Sequence, residues 1–359
     1  MLDKNAKIFV AGHRGLVGSA IWKNLQDKGY TNLVGKTHKE LDLLDAVAVR
    51  QFFDDEQPEY VFLAAAFVGG IMANSIYRAD FIYKNLQIQQ NVIGESFRHN
   101  VKKLLFLGST CIYPRDAEQP MKEEVLLTSP LEYTNEPYAI AKIAGLKMCE
   151  SFNLQYGTNY IAVMPTNLYG PNDNFDLERS HVLPAMIRKI HLAHCLKQGD
   201  WDAIRKDLNQ RPVEGIDGNS SQEDILTILA KYGISNTEVK LWGTGTPLRE
   251  FLWSEEMADA SVFVMEHVDF KDTYKQGDKD IRNCHINIGT GKEISIRELA
   301  ELIVATVGYQ GLLTFDSTKP DGTMRKLTDP SKLHSLGWHH QVEIEEGVQR
   351  MYGWYLGNS

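Results

Sequence analysis

The stretch KIFVAGHRGLVGSAIWKNL at residues 7–25 decides the fold. Its first residues, Lys7 to Ala11, form a short apolar run that predicts a buried strand. Gly12, Gly15 and Gly18 follow at the spacing G-x-x-G-x-x-G, and the residues after them show the periodicity of a helix. A strand, a glycine turn and a helix in this order are typical of a dinucleotide site, because glycines let the backbone approach a pyrophosphate at the positive end of the helix.

Other apolar runs alternate with helical stretches through the first half of the chain. The strand-like runs are residues 7–11, 59–64, 102–107 and 159–163. This alternation predicts a parallel sheet that is covered by helices on both faces. We therefore expect an α/β fold, with a Rossmann-type doubly wound parallel sheet and a smaller α/β substrate-binding domain. The Rossmann domain should cover residues 1–170 with return segments at about 250–290, and the substrate domain should occupy most of 171–359.

The residues after the second strand, which we expect at Thr31 to Gly35, indicate which dinucleotide binds. An NAD site usually carries an acid there, which binds the ribose 2′-hydroxyl. Here a lysine-rich run, Lys36 to Lys39, comes first, and no acid occurs before Glu40. Arg14 adds a cation inside the glycine turn. Because cations suit a 2′-phosphate, we predict NADP(H) as the cofactor; the alternative is that the lysines are ordinary solvated surface charges.

Two side chains of one expected helix, Tyr138 and Lys142 in EPYAIAKIAG, indicate proton transfer to or from a carbonyl oxygen. They lie one helical turn apart and so project from the same face. A phenol with its ordinary pKa of about 10 is too weak an acid near neutrality, and we expect the ammonium of Lys142 to lower that pKa. Ser109 follows the apolar run 104–107, so its hydroxyl should lie at the carboxyl end of a strand, where ligands bind in parallel sheets. The Y-x-x-x-K spacing alone often occurs by chance, but Ser109 and the glycine turn together make the pattern specific.

Eight longer stretches extend this pattern over nearly the whole chain. They are AGHRGLVGSAI, GSTCIYP, TNEPYAIAKIAG, MPTNLYGPNDNF, SHVLPA, WGTGTPLREFL, HINIGTG and KPDGTMRKL, which begin at residues 11, 108, 134, 164, 180, 242, 285 and 319. With them the chain resembles the GDP-L-fucose synthases, a family of the extended short-chain dehydrogenase/reductase superfamily, from residue 7 to about residue 355. The resemblance implies a multifunctional oxidoreductase and isomerase of nucleotide-sugar biosynthesis. Such an enzyme converts GDP-4-dehydro-6-deoxy-D-mannose to GDP-L-fucose by epimerisation at C3 and C5 and then reduction by NADPH at C4.

The resemblance assigns catalytic roles to Ser109, Tyr138, Lys142, Cys111 and His181. Cys111 and His181 would act as base and acid in the two epimerisations, and the assignment at each carbon stays open. The 4-keto group makes both carbons α positions, and an inversion needs one group to remove a proton and another to deliver one from the opposite face. A thiol with a pKa of about 8.5 and an imidazole with a pKa of about 6.5 suit this chemistry. The simpler alternatives are that Cys111 is a small buried residue and that His181 begins a helix or packs in the core.

The resemblance also implies two sets of binding residues and no metal. The residues expected at the cofactor are Gly12, His13, Arg14, Gly15, Leu16, Val17, Gly18, His38, Leu107, Gly108, Lys142, Pro165, Thr166, Asn167, Leu168 and His181. The residues expected at the GDP-sugar are Arg188, Trp242, Arg249 and Asp321. A guanidinium suits a diphosphate because it donates two parallel hydrogen bonds. The alternatives are core packing for Trp242 and a salt bridge to Glu250 or Glu255 for Arg249.

The chain departs from the family pattern in the cofactor region. His38 stands where many bacterial members carry a second arginine after the second strand. This difference weakens the argument for a strict preference for NADP over NAD. Arg14, Lys36 and Lys39 can compensate for the missing arginine, so NADP(H) remains the predicted cofactor.

A second departure is an insert of a few tens of residues at about Leu196 to Glu238. Within it, Pro212 to Ser221 is rich in Gly, Asn and Ser and predicts a loop. Ser221 to Ile234 predicts a helix with Ser221 or Ser220 as its N-cap. The insert should lie in or near the substrate domain. A lid, a dimer contact and a neutral surface decoration are all open, and the last is the default because surface loops tolerate insertion.

The expected partners are a GDP-sugar and a second copy of the chain. The run Ala73 to Asn100 lacks glycine until Gly94 and predicts one long helix. In the superfamily that the chain resembles, this helix and the helix that carries the tyrosine commonly form a four-helix dimer interface. The resemblance therefore implies a homodimer.

Composition argues against several other classes of protein. The net charge of −9 argues against nucleic-acid binding through a basic face. No run approaches the roughly 20 apolar residues of a membrane span, and no apolar signal stretch precedes the first strand. The four cysteines, Cys111, Cys149, Cys195 and Cys284, show no metal-like spacing. Because a reactive Cys111 must stay reduced, we expect a cytoplasmic enzyme.

Three rival functions remain. One is a nucleotide-sugar 4-epimerase or 4,6-dehydratase of the same superfamily, but a dehydratase would carry an Asp-Glu pair after Ser109, where this chain has Thr110 and Cys111. The second is a C3/C5 epimerase that performs no net reduction. The third is a non-catalytic NADP-sensing protein on the same fold, although such proteins typically lose the tyrosine or the lysine that this chain keeps.

Overall fold

The computed structural model of the chain describes residues 2–319 and 321–358. The chain divides into two compact units, which are called the first unit and the second unit below. The first unit comprises the N-terminal part as far as Leu168 together with Glu250–Lys292 and Leu327–Gln341. The second unit comprises Tyr169–Arg249, Glu293–Lys326 and the C-terminal part from Val342.

Helices and strands alternate along the described part of the chain. The strands are β1 (Ile8–Ala11), β2 (Leu33–Val34), β3 (Tyr60–Leu63), β4 (Lys103–Leu107), β5 (Tyr160–Pro165), β6 (Asn167–Tyr169), β7 (Glu238–Trp242), β8 (Leu248–Arg249), β9 (Phe251–Trp253), β10 (Ile286–Ile288), β11 (Ile294–Ser295), β12 (Leu312–Asp316) and β13 (Arg325–Lys326). The helices are α1 (Leu16–Asp27), α2 (Ala46–Glu56), α3 (Ile71–Ile76), α4 (Arg78–Arg98), α5 (Glu136–Tyr156), α6 (Val182–Gln198), α7 (Trp201–Gln210), α8 (Gln222–Lys231), α9 (Ser254–His267), α10 (Ile296–Val307), α11 (Ser331–Ser335) and α12 (Ile344–Gly357).

The first unit is built on a six-stranded sheet in the order β10-β5-β4-β3-β1-β2. Every neighbouring pair in this sheet is parallel. The predicted α/β fold with a doubly wound parallel sheet is therefore confirmed. The chain turns in opposite directions from β1, since β2 pairs with one edge of it and β3 with the other. In such sheets ligands bind beyond the carboxyl ends of the strands where this reversal occurs, and the glycine turn follows β1 at that place.

Alternate residues of each strand face two separate cores, as the period of two in a strand requires. On one face, side chains such as Phe9 and Phe106 pack with buried residues of α2, α4 and α5. On the other face, side chains such as Val10 and Leu107 pack with buried residues of α1 and α9. Because both faces are covered, the strands are apolar throughout rather than alternating in polarity.

The prediction of one long helix from Ala73 to Asn100 is wrong. The structure has two helices, α3 and α4, and the backbone of Tyr77 between them leaves the helical region at φ −99° and ψ 40°. The first residue of α4, Arg78, donates to the carbonyl of Tyr133 at 2.8 Å and lies over its ring at 4.4 Å. These contacts with a distant segment accompany the break, and the apolar periodicity of the run carries no sign of them.

The second unit contains two small sheets, β11-β8-β13 and the parallel pair β12-β7, together with α6, α7, α8, α10 and α12. The insert supplies α7 and α8, and the predicted N-cap is confirmed because the side chain of Ser221 accepts from the backbone N–H of Asp224. The interpretation of the insert as a surface decoration is wrong. Ile204 and Leu208 of α7 and Ile225 of α8 are fully buried, so the insert forms part of the core of this unit.

No helix in residues 2–319 and 321–358 combines the length and the apolar character that crossing a bilayer requires.

Candidate active site

The three glycines of the turn after β1 are needed for different reasons. Gly12 has a φ of +87°, and a Cβ there would lie 2.9 Å from the backbone nitrogen of Ala65. A Cβ on Gly18 would lie 2.0 Å from the carbonyl oxygen of Gly12, so the first turn of α1 packs directly on the loop. A Cβ on Gly15 would meet that oxygen at an ordinary 3.5 Å. Packing therefore requires glycine at the outer two positions, whereas glycine at the middle position leaves room for an incoming group.

A cavity of about 180 Å³ lies beside this turn. It is lined by Gly12, His13, Arg14, Gly15, Lys36, Thr37 and His38. The acid nearest to it in sequence, Glu40, accepts hydrogen bonds from the backbone nitrogen and the hydroxyl of Thr37 at 2.7 and 2.6 Å. Since the side chains that line the cavity are cationic or neutral, it suits the phosphates of a dinucleotide. Lys39 does not line it.

His13 closes one side of the cavity as a neutral ring. Its imidazole packs 5.4 Å from the ring of Trp22, and a Cβ on Gly35 would clash with it at 2.6 Å. Burial and the nearby guanidinium of Arg14 lower its pKa. Its Nδ1 is buried and has no hydrogen-bond partner within the described residues.

Four of the predicted catalytic side chains lie together where β4 ends. The hydroxyl oxygen of Ser109 accepts from the backbone N–H of Cys111 at 3.3 Å and so caps the short 3-10 turn that follows the strand. The ammonium of Lys142, whose residue is only 3% exposed, donates to the carbonyl of Leu107 at 2.7 Å. The same ammonium lies 5.7 Å from the centre of the Tyr138 ring. Serine, thiol, phenol and ammonium thus share one edge of the sheet.

Burial dominates the ionisation of this group. It raises the pKa of Tyr138, and a negative charge on Cys111 would raise it further. It also lowers the pKa of Lys142 to about 8, an effect that Cys111 opposes. The expectation that Lys142 lowers the pKa of the phenol is not met, because the ammonium is directed to a backbone carbonyl while the phenol loses its hydration. The lowered lysine pKa is the more useful result, since it allows Lys142 to exchange a proton near neutral pH.

Close packing of α5 fixes the positions of Tyr138 and Lys142. A Cβ on Gly145 would lie 2.4 Å from the ring of Phe106, so the helix lies directly against β4. On its other side, Gln89 of α4 donates to the carbonyl of Ala141 at 2.8 Å inside the core. Because α5 is held from two sides, the phenol and the ammonium are carried on a rigid element.

The predicted cofactor residues Pro165 to Leu168 follow the neighbouring strand. Thr166 donates its backbone N–H to Ile288 at 3.0 Å, and the side chain of Asn167 donates to the carbonyl of Glu250 at 2.7 Å. On β4, the backbone N–H of Gly108 donates to Val163 at 2.8 Å. The ends of β4 and β5 therefore lie side by side, on the same edge of the sheet as the glycine turn.

His181 lies in the second unit, where it is the N-cap of α6 and has extended backbone angles. Its side chain is exposed to solvent, although the surrounding protein still lowers its pKa by desolvation. The interpretation of His181 as a core histidine is wrong. Desolvation favours the neutral imidazole, and this is the form that can accept a proton.

Arg188 does not have the role that we predicted for it. The residue is 0% exposed, and its Nε and Nη2 lie 2.9 and 2.8 Å from one carboxylate oxygen of Asp207. Its Nη1 donates to the carbonyl of Phe175 at 3.2 Å, and Nη2 also donates to the carbonyl of Arg211. Since every nitrogen of the guanidinium donates to the protein, the prediction that Arg188 binds a diphosphate is corrected. Its partner Asp207 comes from the insert.

The adjacent Lys189 is a candidate that the sequence reasoning missed. It is 8% exposed, burial lowers its pKa to about 8, and no charged group in the described ranges opposes that shift. A buried ammonium without a compensating carboxylate suits an anionic ligand. The signal in the sequence was the dipeptide Arg188-Lys189 on an apolar helix. Among the described residues, the structure gives a carboxylate partner to Arg188 but not to Lys189.

The remaining predicted substrate residues lie in the second unit. Trp242 ends β7 with 62% of its surface exposed and with the ammonium of Lys319 at 5.5 Å from its ring, so core packing is the wrong interpretation. Arg249 donates to the carbonyl of Leu248 at 2.8 Å, and burial lowers its pKa. Asp321 accepts from the backbone N–H and the hydroxyl of Thr244 at 2.7 and 2.9 Å. Its carboxylate thus stabilises the turn after the exposed tryptophan.

The alternative that Arg249 forms a salt bridge to Glu250 is not supported, because the carboxylate of Glu250 has other partners. Glu250 is fully buried in the first unit. There it accepts from the backbone N–H and the hydroxyl of Thr328 at 2.9 and 2.6 Å and from the N–H of Gly291 at 2.7 Å. This carboxylate ties the returning segments of the first unit together.

Comparisons with known proteins show what the chain is similar to. The chain matches the NAD dependent epimerase/dehydratase family over residues 8–208 and 213–289. It is 52% identical to GDP-L-fucose synthase 1 of Arabidopsis thaliana, with 100% of this chain and 95% of that protein covered. It is 47% identical to the GDP-L-fucose synthase of Escherichia coli K12, with 98% and 97% covered. A crystal structure of a GDP-D-glycero-L-gluco-heptose synthase from Campylobacter jejuni in the presence of NADPH is 47% identical, covers 99% of this chain and 100% of its own, and superposes with a TM-score of 0.92.

Proposed function

Because the chain belongs to the NAD dependent epimerase/dehydratase family, we propose that it converts GDP-4-dehydro-6-deoxy-D-mannose to GDP-L-fucose with NADPH as reductant. The observation that carries the proposal is the group formed by Ser109, Cys111, Tyr138 and Lys142 at the end of β4. A plain 4-epimerase or a 4,6-dehydratase does not account for a thiol in this group. A non-catalytic sensor does not account for a serine, a phenol and an ammonium kept together at the end of one strand.

The residues of the first unit fit NADP(H). The open position at Gly15 would accept the pyrophosphate, and Arg14, Lys36 and His38 would meet the 2′-phosphate in the adjacent cavity. When bound, the cofactor supplies a hydride to C4 of the sugar. Leu107, Gly108 and residues 165–168 lie on the same edge and would border the nicotinamide.

Side chains of the protein carry out the proton transfers. Tyr138 donates a proton to the oxygen at C4 as it becomes an alkoxide, and Ser109 donates a hydrogen bond to the same oxygen. Lys142 replaces the proton that the phenol loses, which its pKa of about 8 permits. Before reduction, Cys111 and His181 act as base and acid at C3 and C5. The oxyanion contacts of Ser109 and Tyr138 stabilise the enolate formed in each epimerisation.

The second unit would bind the GDP portion of the substrate. We propose Lys189 and Arg249 for the diphosphate, since each is a cation with a pKa that burial lowers. Trp242 offers an exposed aromatic face on which a guanine can stack. Arg188 is not part of this set, because its guanidinium donates to Asp207 and to two backbone carbonyls.

The chain would act as a homodimer in the cytoplasm. Tyr83 of α4 and Ile140 and Leu154 of α5 are exposed apolar side chains on two helices that pack together in the first unit. A second copy would cover them. A reducing compartment suits a reaction that uses the thiol of Cys111.

A GDP-heptose is a second candidate for the substrate. The observation that favours it is the structure from Campylobacter jejuni, which has the same 47% identity as the Escherichia coli relative and a TM-score of 0.92. Both candidates need the same 4-keto reduction, so the groups at the end of β4 do not discriminate between them. The choice depends on the second unit.

The test is NADPH oxidation with GDP-4-dehydro-6-deoxy-D-mannose, with the product identified by NMR. Wild type should oxidise NADPH and yield GDP-L-fucose, Tyr138→Phe should lose nearly all oxidation, and Cys111→Ser should fail or give an unepimerised sugar. A parallel assay with a 4-keto GDP-heptose decides between the two substrates. No oxidation with either sugar would refute the reductase.

A further inference from the structure

We propose that the buried ion pair of Arg188 and Asp207 is a positioning device that holds the segment carrying His181, residues 173–181, in its working geometry. The inference rests on the proposed function, because it assumes that His181 exchanges protons with the sugar. It assigns a role to the insert, whose helix α7 carries Asp207.

The pair is placed so that it cannot serve a ligand directly. Both residues are 0% exposed, and the carboxylate of Asp207 has no capacity left over. One of its oxygens takes two nitrogens of Arg188 at 2.9 and 2.8 Å, while the other accepts from the hydroxyl of Tyr355 at 2.5 Å and from Arg211 at 3.4 Å. A charge pair this deep contributes little net stability over an apolar pair of the same shape, so geometry is the better reason for its presence.

What the pair holds is the backbone in front of α6. Nη1 of Arg188 donates to the carbonyl of Phe175 at 3.2 Å, and Phe175 lies before His181 in the chain while Arg188 lies after it. This hydrogen bond closes the segment that contains His181 into a loop with a fixed base. The ring of Phe175 is itself fixed, since it stacks on Trp354 at 6.0 Å.

The helix completes the connection. His181 is the N-cap of α6, and Arg188 lies two turns further along on the same side of the helix. Asp207 therefore sets the rotation of α6 about its axis as well as the path of the loop. The groups that supply the proton for reduction at C4, Tyr138 and Lys142, are carried on α5 and have their own supports.

Loss of the pair should thus affect the two half-reactions unequally. A displacement of a catalytic group by about 1 Å can lower a rate by roughly a hundredfold. We expect epimerisation to fall about tenfold or more, and reduction of a sugar that is already epimerised to change less than about twofold.

The variants are Asp207→Asn and the double variant Arg188→Met/Asp207→Leu. The double variant removes both fully buried charges, whereas Arg211, the second cation at Asp207, has an 18% exposed side chain and also donates to the carbonyl of Asn358. The double variant should therefore stay folded even where the single variant does not. The matched control is Glu214→Gln, which removes another ion pair of the insert, 2.6 Å from Lys231 but exposed.

Two half-reactions are measured separately. Epimerisation is followed as deuterium uptake at C3 and C5 of GDP-4-dehydro-6-deoxy-D-mannose in D2O without NADPH. Reduction is followed as NADPH oxidation with the C3,C5-epimerised keto-sugar. A selective loss of deuterium uptake in the double variant supports the proposal, whereas an equal loss of both reactions or no loss of either overturns it.

Amide hydrogen exchange gives a readout that does not depend on activity. The amide of Ser180 donates to Asp176 at 3.0 Å and that of Ala185 to His181 at 3.1 Å, so both report on the segment. They should exchange faster in the double variant while amides of α8 stay unchanged, and protection equal to wild type would overturn the positioning role. If wild type shows neither half-reaction, the proposed function itself fails, and the exchange result still decides whether the pair holds the segment.

Discussion

The first and second units each bury a cation beside a predicted site, and they treat it in opposite ways. Lys142 in the first unit donates to the backbone carbonyl of Leu107, and burial lowers its pKa to about 8. Arg188 in the second unit is neutralised by the carboxylate of Asp207 and donates to two further carbonyls. The first cation can exchange a proton near neutral pH, whereas the second is a permanent charge held in place. Burial alone therefore does not identify a functional cation. The group with which the buried cation is paired distinguishes a reactive cation from a structural one.

Two adjacent cations on one helix of the second unit differ in the same way. Arg188 and Lys189 are adjacent and both buried, yet only Arg188 has a carboxylate partner among the described residues. The unpaired ammonium of Lys189 is the one that an anionic substrate can satisfy.

The largest effect is expected for Lys142→Met. Removal of the buried ammonium takes away the group that restores the proton of Tyr138, and we expect kcat to fall by about 10²–10⁴-fold. Because the pKa of Lys142 is about 8, wild-type activity should decline as the pH rises through that value and the ammonium loses its proton. Steady-state NADPH oxidation measures both effects. Lys147→Met on the same helix, which removes a partly buried pair with Glu150, is the control and should keep its activity.

Asp207→Asn should have the next largest effect, and it should lower stability in addition to the selective loss of epimerisation expected for it. The change leaves the buried charge of Arg188 uncompensated, and we expect the free energy of unfolding to fall by about 3–5 kcal/mol. Urea denaturation measures it. The exposed pair of Glu214 and Lys231 should contribute much less, so an equal loss in Glu214→Gln would contradict the difference between the buried and the exposed pair.

The glycine turn allows a finer separation of packing from binding. Gly15→Ala should leave the free energy of unfolding unchanged, because its Cβ meets only an ordinary contact at 3.5 Å, yet weaken NADPH binding by about tenfold. Gly18→Ala places a Cβ 2.0 Å from the carbonyl of Gly12 and should destabilise the fold by about 1–3 kcal/mol. Urea denaturation and NADPH titration of both variants check this. Unchanged NADPH affinity in Gly15→Ala would contradict the proposal that the pyrophosphate of the cofactor binds at Gly15.

The smallest effect is expected for Lys189→Met. It should weaken the binding of GDP by about tenfold without changing kcat for the substrate at saturation. Burial lowers the pKa of Lys189 to about 8, so the cationic form that attracts the diphosphate is lost as the pH rises. Calorimetry at pH 7 and pH 9 should show weaker GDP binding at the higher pH in wild type and no such change in the variant. Lys197→Met, on the exposed end of the same helix, should bind GDP like wild type.

The parts of this protein whose geometry is local could be predicted from its sequence. The glycine turn follows β1 because a strand and a helix need a tight connection there. The packing agrees with this, since a Cβ on Gly12 or on Gly18 would clash with backbone atoms. Tyr138 and Lys142 share a face because they are one helical turn apart. Each of these inferences uses residues within a few positions of one another, and the periods of helix and strand connect such residues without knowledge of the rest of the chain.

Only the tertiary structure decided which partner each distant charge meets. The carboxylate that neutralises Arg188 comes from another helix, and the phenol that shares this carboxylate, Tyr355, comes from near the C-terminus. The break at Tyr77 is accompanied by a contact between Arg78 and the remote Tyr133, and only the folded chain shows that Trp242 is exposed. Apolar periodicity records that a residue is buried but not what it is buried against. A buried charge costs free energy until its partner is in place, so its role follows from the folded chain and not from its neighbours in sequence.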